Sequence, residues 1–220
     1  MSPRAPAEAV PEPKSSVSVV DDDPEFRASV ARLLRSIGLH ARLFASVAEY
    51  LESEPPDCPT CLILDVRLPG QSGLDFQQDL VASHAEIPIV FITGHGDIPM
   101  SVQAMKRGAV EFLTKPFRDQ DLLEAINVGL ARDRARRADN ESLTKLRERV
   151  ETLSPRELSV LTAVARGRLN KQIAVEIGIS ESTVKVHRFN MMRKMRLASL
   201  AELCRVADKL KLLPEQRQPL

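Results

Sequence analysis

The 220 residues include no apolar run approaching the ~20 that a membrane helix needs, which argues against a spanning segment and a membrane partner. Residues 1–16 are rich in Pro, Ala and Glu and include Arg4, but they lack the apolar stretch of a secretory signal. A disordered extension over 1–16 and a cytoplasmic location are therefore expected. Cysteine is also scarce, and three residues do not make a disulfide framework. Cys58 and Cys61 form a C-x-x-C, yet no histidine or further cysteine lies nearby to complete a zinc site. Cys61 also opens the apolar run Cys-Leu-Ile-Leu, so a loop thiol and a core thiol are favoured over a redox pair.

Net charge is nearly absent at +1, but its distribution is uneven. Residues 1–130 hold 11 Lys and Arg against 19 Asp and Glu, residues 131–151 hold 7 against 5, and residues 152–220 hold 13 against 6. An acidic front and a basic back point to two domains with different partners. A cation- or phosphate-handling site suits the first and a polyanion such as DNA the second.

Short apolar runs alternate with helical periodicity through the first half. Strands are expected at Val17–Val20, Ala41–Phe44, Leu62–Leu64, Ile89–Ile92 and Val110–Leu113. Helical patterns follow each, over Pro24–Ser36, Ser46–Leu51, Ser72–Ser83, Pro99–Arg107 and from Asp119 onward. Five strand–helix units imply right-handed crossovers and an α/β fold, a five-stranded parallel doubly wound sheet, flavodoxin-like. The strands read as continuous apolar runs, as strands covered on both faces do. In such sheets the working site lies beyond the carboxyl ends of the strands.

Four features fall at those ends. Asp21-Asp22-Asp23 follow strand one, Asp65 strand three, Thr93 strand four and Lys115-Pro116 strand five. Each alone is commonplace, being a solvated turn, a strand end or a loop hydroxyl. Together they assemble carboxylates that repel unless a cation is present. A hard divalent ion, magnesium being usual, resolves that conflict, and a lysine beside it neutralises an incoming phosphoryl group. The implied chemistry is phosphoryl transfer to a carboxylate, giving an acyl phosphate. The loop Val-Arg-Leu-Pro-Gly-Gln-Ser-Gly after Asp65 offers amides to the same group.

Residues 131–151 are highly charged and read as a helical linker continuing the last helix, residues 152–212 as an all-α four-helix domain, and 213–220 as a tail. Ser154-Pro155-Arg156-Glu157 is a helix start with a capping box. Asn170 is expected to cap the next helix, Gly178 to break it and Ser180 to cap a third, while the last helix is expected over Leu197–Leu210. Helix, glycine-containing turn, helix is the helix-turn-helix arrangement. The third helix carries Lys185, His187, Arg188, Arg193, Lys194 and Arg196, with Val184, Met191 and Met195 spaced to face a core. A basic exposed helix at this position suits the major groove.

The segments VVDDD, ILDVRLPGQSGLDF, IPIVFITGHGDIPMSVQAMKRGA and EFLTKPF over about 17–130 resemble a receiver domain. LSPRE, NKQIA, GIS and TVKVH over about 152–211 resemble the LuxR-type helix-turn-helix. In this order they resemble the NarL/FixJ group of two-component response regulators. The resemblance implies Asp65 as phosphoacceptor. It implies magnesium bound by Asp22, Asp65 and the Arg67 backbone carbonyl, with Asp21 assisting. Thr93 and Phe112 would be a switch pair, Lys115 would hold the phosphoryl group, and Lys115–Pro116 would be cis. Lys185, Val186 and Phe189 stand where base-reading residues occur, and Lys171, Thr183, His187, Arg188 and Arg193 where backbone contacts occur. Phe189 is bulkier and less polar than is usual there.

The implied partners are a sensor histidine kinase, double-stranded promoter DNA, a second copy on phosphorylation and RNA polymerase at the promoter. Enzymic activity is limited to self-catalysed phosphoryl acceptance and slow autodephosphorylation. His95 reads as a loop residue, since the donor histidine belongs to the kinase. A phosphoesterase is the rival reading, weakened by Arg67 standing where a general acid would be needed. A degenerate receiver serving only as an interaction module is weakened by the complete set Asp22, Asp65, Thr93 and Lys115.

Overall fold

β-branched and leucine-rich segments form the sheet at the centre of the first of two units into which the chain divides, residues 1–137 and 138–220. The computed structural model describes residues 14–212; the expectations for residues 1–13 and 213–220 lie outside them. The elements of the first unit run β1 Ser16–Val20, α1 Pro24–Ser36, β2 His40–Phe44, α2 Val47–Glu52, β3 Thr60–Asp65, α3 Gly73–Ala82, β4 Ile89–Thr93, α4 Ile98–Lys106 and β5 Glu111–Thr114, followed by α5 Asp119–Glu151, whose residues from 138 onward belong to the second. All pairings are parallel, in the order β2-β1-β3-β4-β5. The doubly wound α/β expectation holds.

Two apolar layers cover the sheet. Leu62, Leu64 and Phe91 point to one face with Phe76 and Leu80 of α3. Val17, Val19, Ile63, Val90 and Ile92 point to the other with Val30 and Leu34 of α1 and Leu122, Ile126 and Leu130 of α5. This is the alternation of a strand buried on both faces. Only β1, β3 and β4 are buried throughout. In β2, His40 and Leu43 are exposed, and in β5 Glu111 and Thr114 are, because both are edge strands. Double coverage was expected of all five, and the edges correct it. β1 also begins at Ser16, inside the expected extension, and Ser15 and Ser16 are buried.

α5 stays packed on the first unit beyond residue 130, where a linker was expected to begin. Asp133 continues the buried stripe Leu122, Ile126, Leu130 and is itself fully buried. Its carboxylate accepts from the Thr60 amide at 2.9 Å, from Arg137 Nε at 2.8 Å and from both Arg136 Nε and Nη2. Burial pushes this carboxyl up, but the Arg137, Arg136 and Thr60 bonds outweigh it and hold it below the usual carboxylate range. Cys61 is buried in β3 and its thiol is pushed up to about 12 by that burial, the opposite of a reactive thiolate.

The second unit contains α6 Pro155–Ala165, α7 Asn170–Ile177, α8 Glu181–Met195 and α9 Leu200–Lys209 around Val160, Leu161, Val164, Ile173, Val184, Met191, Met195 and Leu203. The Ser154 capping box is present: Ser154 Oγ accepts from the Glu157 amide and Glu157 Oε2 from the Ser154 amide. Ser180 caps α8 through the Thr183 amide. The cap of α7 is Leu169 and not Asn170: Gln172 Oε1 accepts from the Leu169 amide at 2.9 Å, so Asn170 is the first helical residue. α9 begins three residues later than expected. Ser199 caps it through the Glu202 amide, and Glu202 accepts from the Ala198 amide, so Leu197 and Ala198 lead into the helix.

Candidate functional site

Matched register brings the carboxyl ends of the central strands level, with Val20 opposite Leu64, Asp65 opposite Ile92 and Thr93 opposite Thr114. The chain therefore delivers Asp21 and Asp22 just past β1, Asp65 at the end of β3, Thr93 at the end of β4 and Lys115 just past β5 to one edge. Carboxylate oxygens of Asp21, Asp22 and Asp65 all lie within 4.8 Å of one another. Asp21 and Asp65 are buried and Asp22 is exposed. Asp23, third of the run, is turned away: its carboxylate accepts the Glu25 and Phe26 amides and caps α1.

Lys115 Nζ sits 2.6 Å from Asp21 Oδ2 and 3.6 Å from Asp65 Oδ2, resting on the Phe26 ring 3.7 Å from its centroid. The Lys115–Pro116 bond is cis, as the resemblance implies. The Arg67 amide donates to Asp65 Oδ1 at 3.0 Å. Burial raises the Asp65 pKa; the Arg67 amide and Lys115 pull it down, Asp21 and Asp22 push it up, and the net shift is upward. Three carboxylates against one ammonium leave an excess of negative charge that a divalent cation with oxygen preference would fit. Gly73, at the start of α3, touches the Asp65 backbone, since a Cβ there would fall 2.2 Å from the Asp65 carbonyl oxygen.

Thr93 is fully buried, with its Oγ1 accepting from the His95 amide at 3.3 Å. His95 is thus a loop residue bonded through its backbone. Phe112 is half-buried, its ring 6.1 Å from that of Phe91. Gly96 closes over both: a Cβ at Gly96 would lie 2.8 Å from Phe112 Cε1 and 3.1 Å from Thr93 Cγ2.

In the second unit, α8 sorts its side chains by face. Val184, Met191 and Met195 are buried, whereas Lys185, Val186, Phe189 and Arg193 are exposed. The exposed four follow the i, i+3, i+4 spacing of one helix face. Lys185 Nζ lies 3.5 Å from Glu181 Oε1, and three of the other predicted contacts, Thr183, His187 and Arg188, are half-buried. Arg188 is half-buried and donates to Asn170 Oδ1 at 3.2 Å, and the Thr183 hydroxyl lies 2.7 Å from Ser180 Oγ. His187 is half-buried, and Lys171 is exposed in the first turn of α7. Lys194 pairs at 2.6 Å with buried Glu157, a bond that together with the Ser154 amide holds that carboxyl below its usual range.

Sequence reasoning missed the Asp133 clasp and the Glu157–Lys194 pair. A signal for the first was present, since an aspartate on the buried stripe of α5 followed by arginines three and four residues on is a buried charge with partners in reach.

No helix among the described residues is long and apolar enough to cross a membrane. Residues 17–127 match the family model for the response regulator receiver domain, and residues 151–207 that for bacterial regulatory proteins of the luxR family. The chain is 53% identical over 197 residues to nodulation protein W of Bradyrhizobium diazoefficiens, covering 90% of this chain and 87% of that protein. It is 48% identical to response regulator protein TodT of Pseudomonas putida, with the same coverage of 90% and 87%. The solved structure of the response regulator StyR superposes with a TM-score of 0.77 at 48% identity, covering 89% of this chain and 99% of that one. The acidic strand-end cluster and the helix-turn-helix therefore sit in a known order, and the chain belongs to the NarL/FixJ group of two-component response regulators, transcriptional regulators that join a receiver domain to a LuxR-type DNA-binding domain.

Proposed function

We propose that Asp65 accepts a phosphoryl group from a partner histidine kinase and that the acyl phosphate drives dimerisation and promoter binding. An Asp65 carboxylate oxygen attacks phosphorus, the N–P bond of the kinase phosphohistidine breaks, and the imidazole leaves with the electron pair. The observation that carries this reading is the approach of the Asp21, Asp22 and Asp65 carboxylates to within 4.8 Å beside Lys115. Asp22, Asp65 and the Arg67 backbone carbonyl would hold magnesium directly, with Asp21 assisting. A bound magnesium ion screens the carboxylates and the negative charge on the transferring group. Lys115, now held by Asp21, exchanges that partner for a phosphoryl oxygen. Slow hydrolysis of the acyl phosphate returns the protein to its starting state.

Thr93 turns its hydroxyl to the phosphoryl group and the Phe112 ring follows inward behind it. The Gly96 loop supports such coupling, because its backbone lies close against both the buried Thr93 and the half-buried Phe112 ring. The result biases the α4–β5–α5 face, where α4 already exposes Ile98, Val102 and Met105 in one apolar row. That row supports a second copy as the occupant. Dimers then place paired α8 helices on DNA half-sites. RNA polymerase is a further partner at the promoter, and the expected site of action is the cytoplasm.

Analytical ultracentrifugation of wild type and Asp65→Asn, each with and without acetyl phosphate and magnesium, tests the scheme. A monomer-to-dimer shift in wild type alone is expected. A shift in both proteins, or in neither, would sink phosphorylation-driven dimerisation through Asp65.

A further inference from the structure

The chain has seven phenylalanines, six of them in the first unit and all six buried or half-buried. The seventh, Phe189, is 66% exposed at the middle of α8. One turn earlier Val186 is 57% exposed on the same face. Neither belongs to the apolar core of the second unit, which α8 supplies from the opposite side through Val184, Met191 and Met195. An aromatic ring held in water on a helix whose core face is already filled awaits a partner surface. The flanking charges say which kind. Lys185 and Arg193 stand one turn to either side of Phe189 on the same face; Lys185 Nζ lies 3.5 Å from Glu181 Oε1 in an exposed pair, and Arg193 has no acidic partner among the described residues. An apolar contact bracketed by cations suits a polyanion that carries an apolar group at the floor of a groove. In duplex DNA that group is the C5-methyl of thymine, which lines the major groove and accepts contact from apolar side chains.

We infer that Phe189, with Val186 beside it, reads the C5-methyl group of a thymine in each half-site, while Lys185 and Arg193 hold the flanking backbone or base edges. This rests on the proposed DNA-binding reading and adds a base to it. A lysine or arginine at position 189 would favour guanine through its N7 and O6 acceptors. A phenyl ring has no donor for those atoms and gains only by covering an apolar group. The preference of this chain at that position is therefore for thymine.

The test uses the full-length protein activated with acetyl phosphate and magnesium, and a fluorescent duplex selected by it from random-sequence DNA. Each thymine of the selected site is replaced in turn by deoxyuridine, which removes the methyl group and nothing else. Kd is read by anisotropy at one fixed salt concentration. In wild type, one thymine per half-site is expected to lose about fourfold in affinity on replacement, the size of one buried methyl group. In Phe189→Ala the thymine-to-deoxyuridine ratio at that position is expected to fall to about one, and in Phe189→Leu, which keeps an apolar contact, to stay above one. Because the ratio is taken within each variant, a general loss of affinity cancels. Uniform insensitivity to deoxyuridine in wild type, or a ratio that survives Phe189→Ala, overturns the inference while leaving DNA binding standing. Failure of wild type to enrich any duplex overturns the DNA-binding reading and the inference with it.

Discussion

Two buried aspartates stand at opposite ends of β3. Asp65 is its last residue, and Asp133 of α5 bonds to the amide of Thr60, its first. Burial raises the cost of charge at both, yet their pKa values move in opposite directions. Asp133 has two guanidinium groups and an amide supplied by its own chain, and its charge is satisfied. Asp65 has one amide and a lysine 3.6 Å away that is closer to Asp21, and it faces two further carboxylates. The chain completes the electrostatics at one end and leaves a deficit at the other. The deficit is one that the proposed cation and phosphoryl group would offset, and the completed end anchors α5 on the sheet.

Removing each charge should break this comparison in opposite ways. The largest effect is expected from Asp65→Asn, which should abolish acyl phosphate formation with acetyl phosphate, read as loss of the shifted band on a phosphate-affinity gel. Stability to urea should stay level or rise, by up to roughly 1 kcal/mol, because a like charge has left a repulsive cluster. A clear loss of stability would mean that Asp65 is as well satisfied as Asp133.

Asp133→Ala should do the reverse. Phosphorylation at Asp65 should persist, while urea denaturation should show a loss of roughly 2–3 kcal/mol. That is below the ~3–5 kcal/mol for breaking a fully buried pair, since the Arg136 and Arg137 heads are partly exposed and regain water. Loss of phosphorylation with unchanged stability would show that the clasp serves the acceptor site instead of the fold.

The pH dependence sharpens the contrast. The folded pKa of Asp133 is depressed, so its stabilisation is present above the unfolded value of about 4 and is lost as pH falls through the folded value. The advantage of wild type over Asp133→Asn should therefore shrink between pH 6 and pH 3. The folded pKa of Asp65 is raised, so its ionisation costs stability as pH rises through that value, and the cost disappears in acid. Asp65→Asn should be the more stable protein at pH 7 and lose that lead toward pH 3. Chemical denaturation of the three proteins across this range measures both gaps, and gaps of the same sign at pH 7 would refute the assignment.

Much of this was legible in the sequence because strand ends and helix caps are local. Asp65, Thr93 and Lys115 announce themselves as polar residues terminating apolar runs, and Ser154, Ser180 and Gly178 as caps and a stop. Legibility failed where a residue depends on a distant partner. Asp133 looked like one charge among many in a charged segment, because its acceptor duty to Thr60 spans 73 positions. At Asn170 the failure was local instead: asparagine favours the cap position, but the cap falls one residue earlier, at Leu169, whose amide donates to the Gln172 side chain. The edge strands β2 and β5 carry polar or charged residues within them, His40 and Arg42 in one and Glu111 in the other, where β4 has an unbroken apolar run, and the sheet order explains why those residues are tolerated.

Glycines at the two ends separate packing from switching at smaller amplitude. Gly129 of α5 lies against β3 at the anchored end, where an added Cβ would fall 2.5 Å from the sulfur of buried Cys61. Gly129→Ala should cost roughly 1–2 kcal/mol, as overpacking of a tight interior outweighs the helix-propensity gain of about 1 kcal/mol from alanine. Gly96→Ala is expected to cost less, about 1 kcal/mol or under, because the Phe112 ring it meets at 2.8 Å is only half-buried and can swing. Its effect should appear in the switch. Crowding of Phe112 and Thr93 by the new methyl changes the balance between ring positions, so the dimerisation constant in the presence of acetyl phosphate should shift severalfold while the phosphorylated fraction stays the same. Sedimentation measures the first and the phosphate-affinity gel the second. If Gly96→Ala lowers stability as much as Gly129→Ala and leaves dimerisation untouched, the Asp65 end is as rigidly packed as the Asp133 end, and Phe112 is a core residue with no part in signalling.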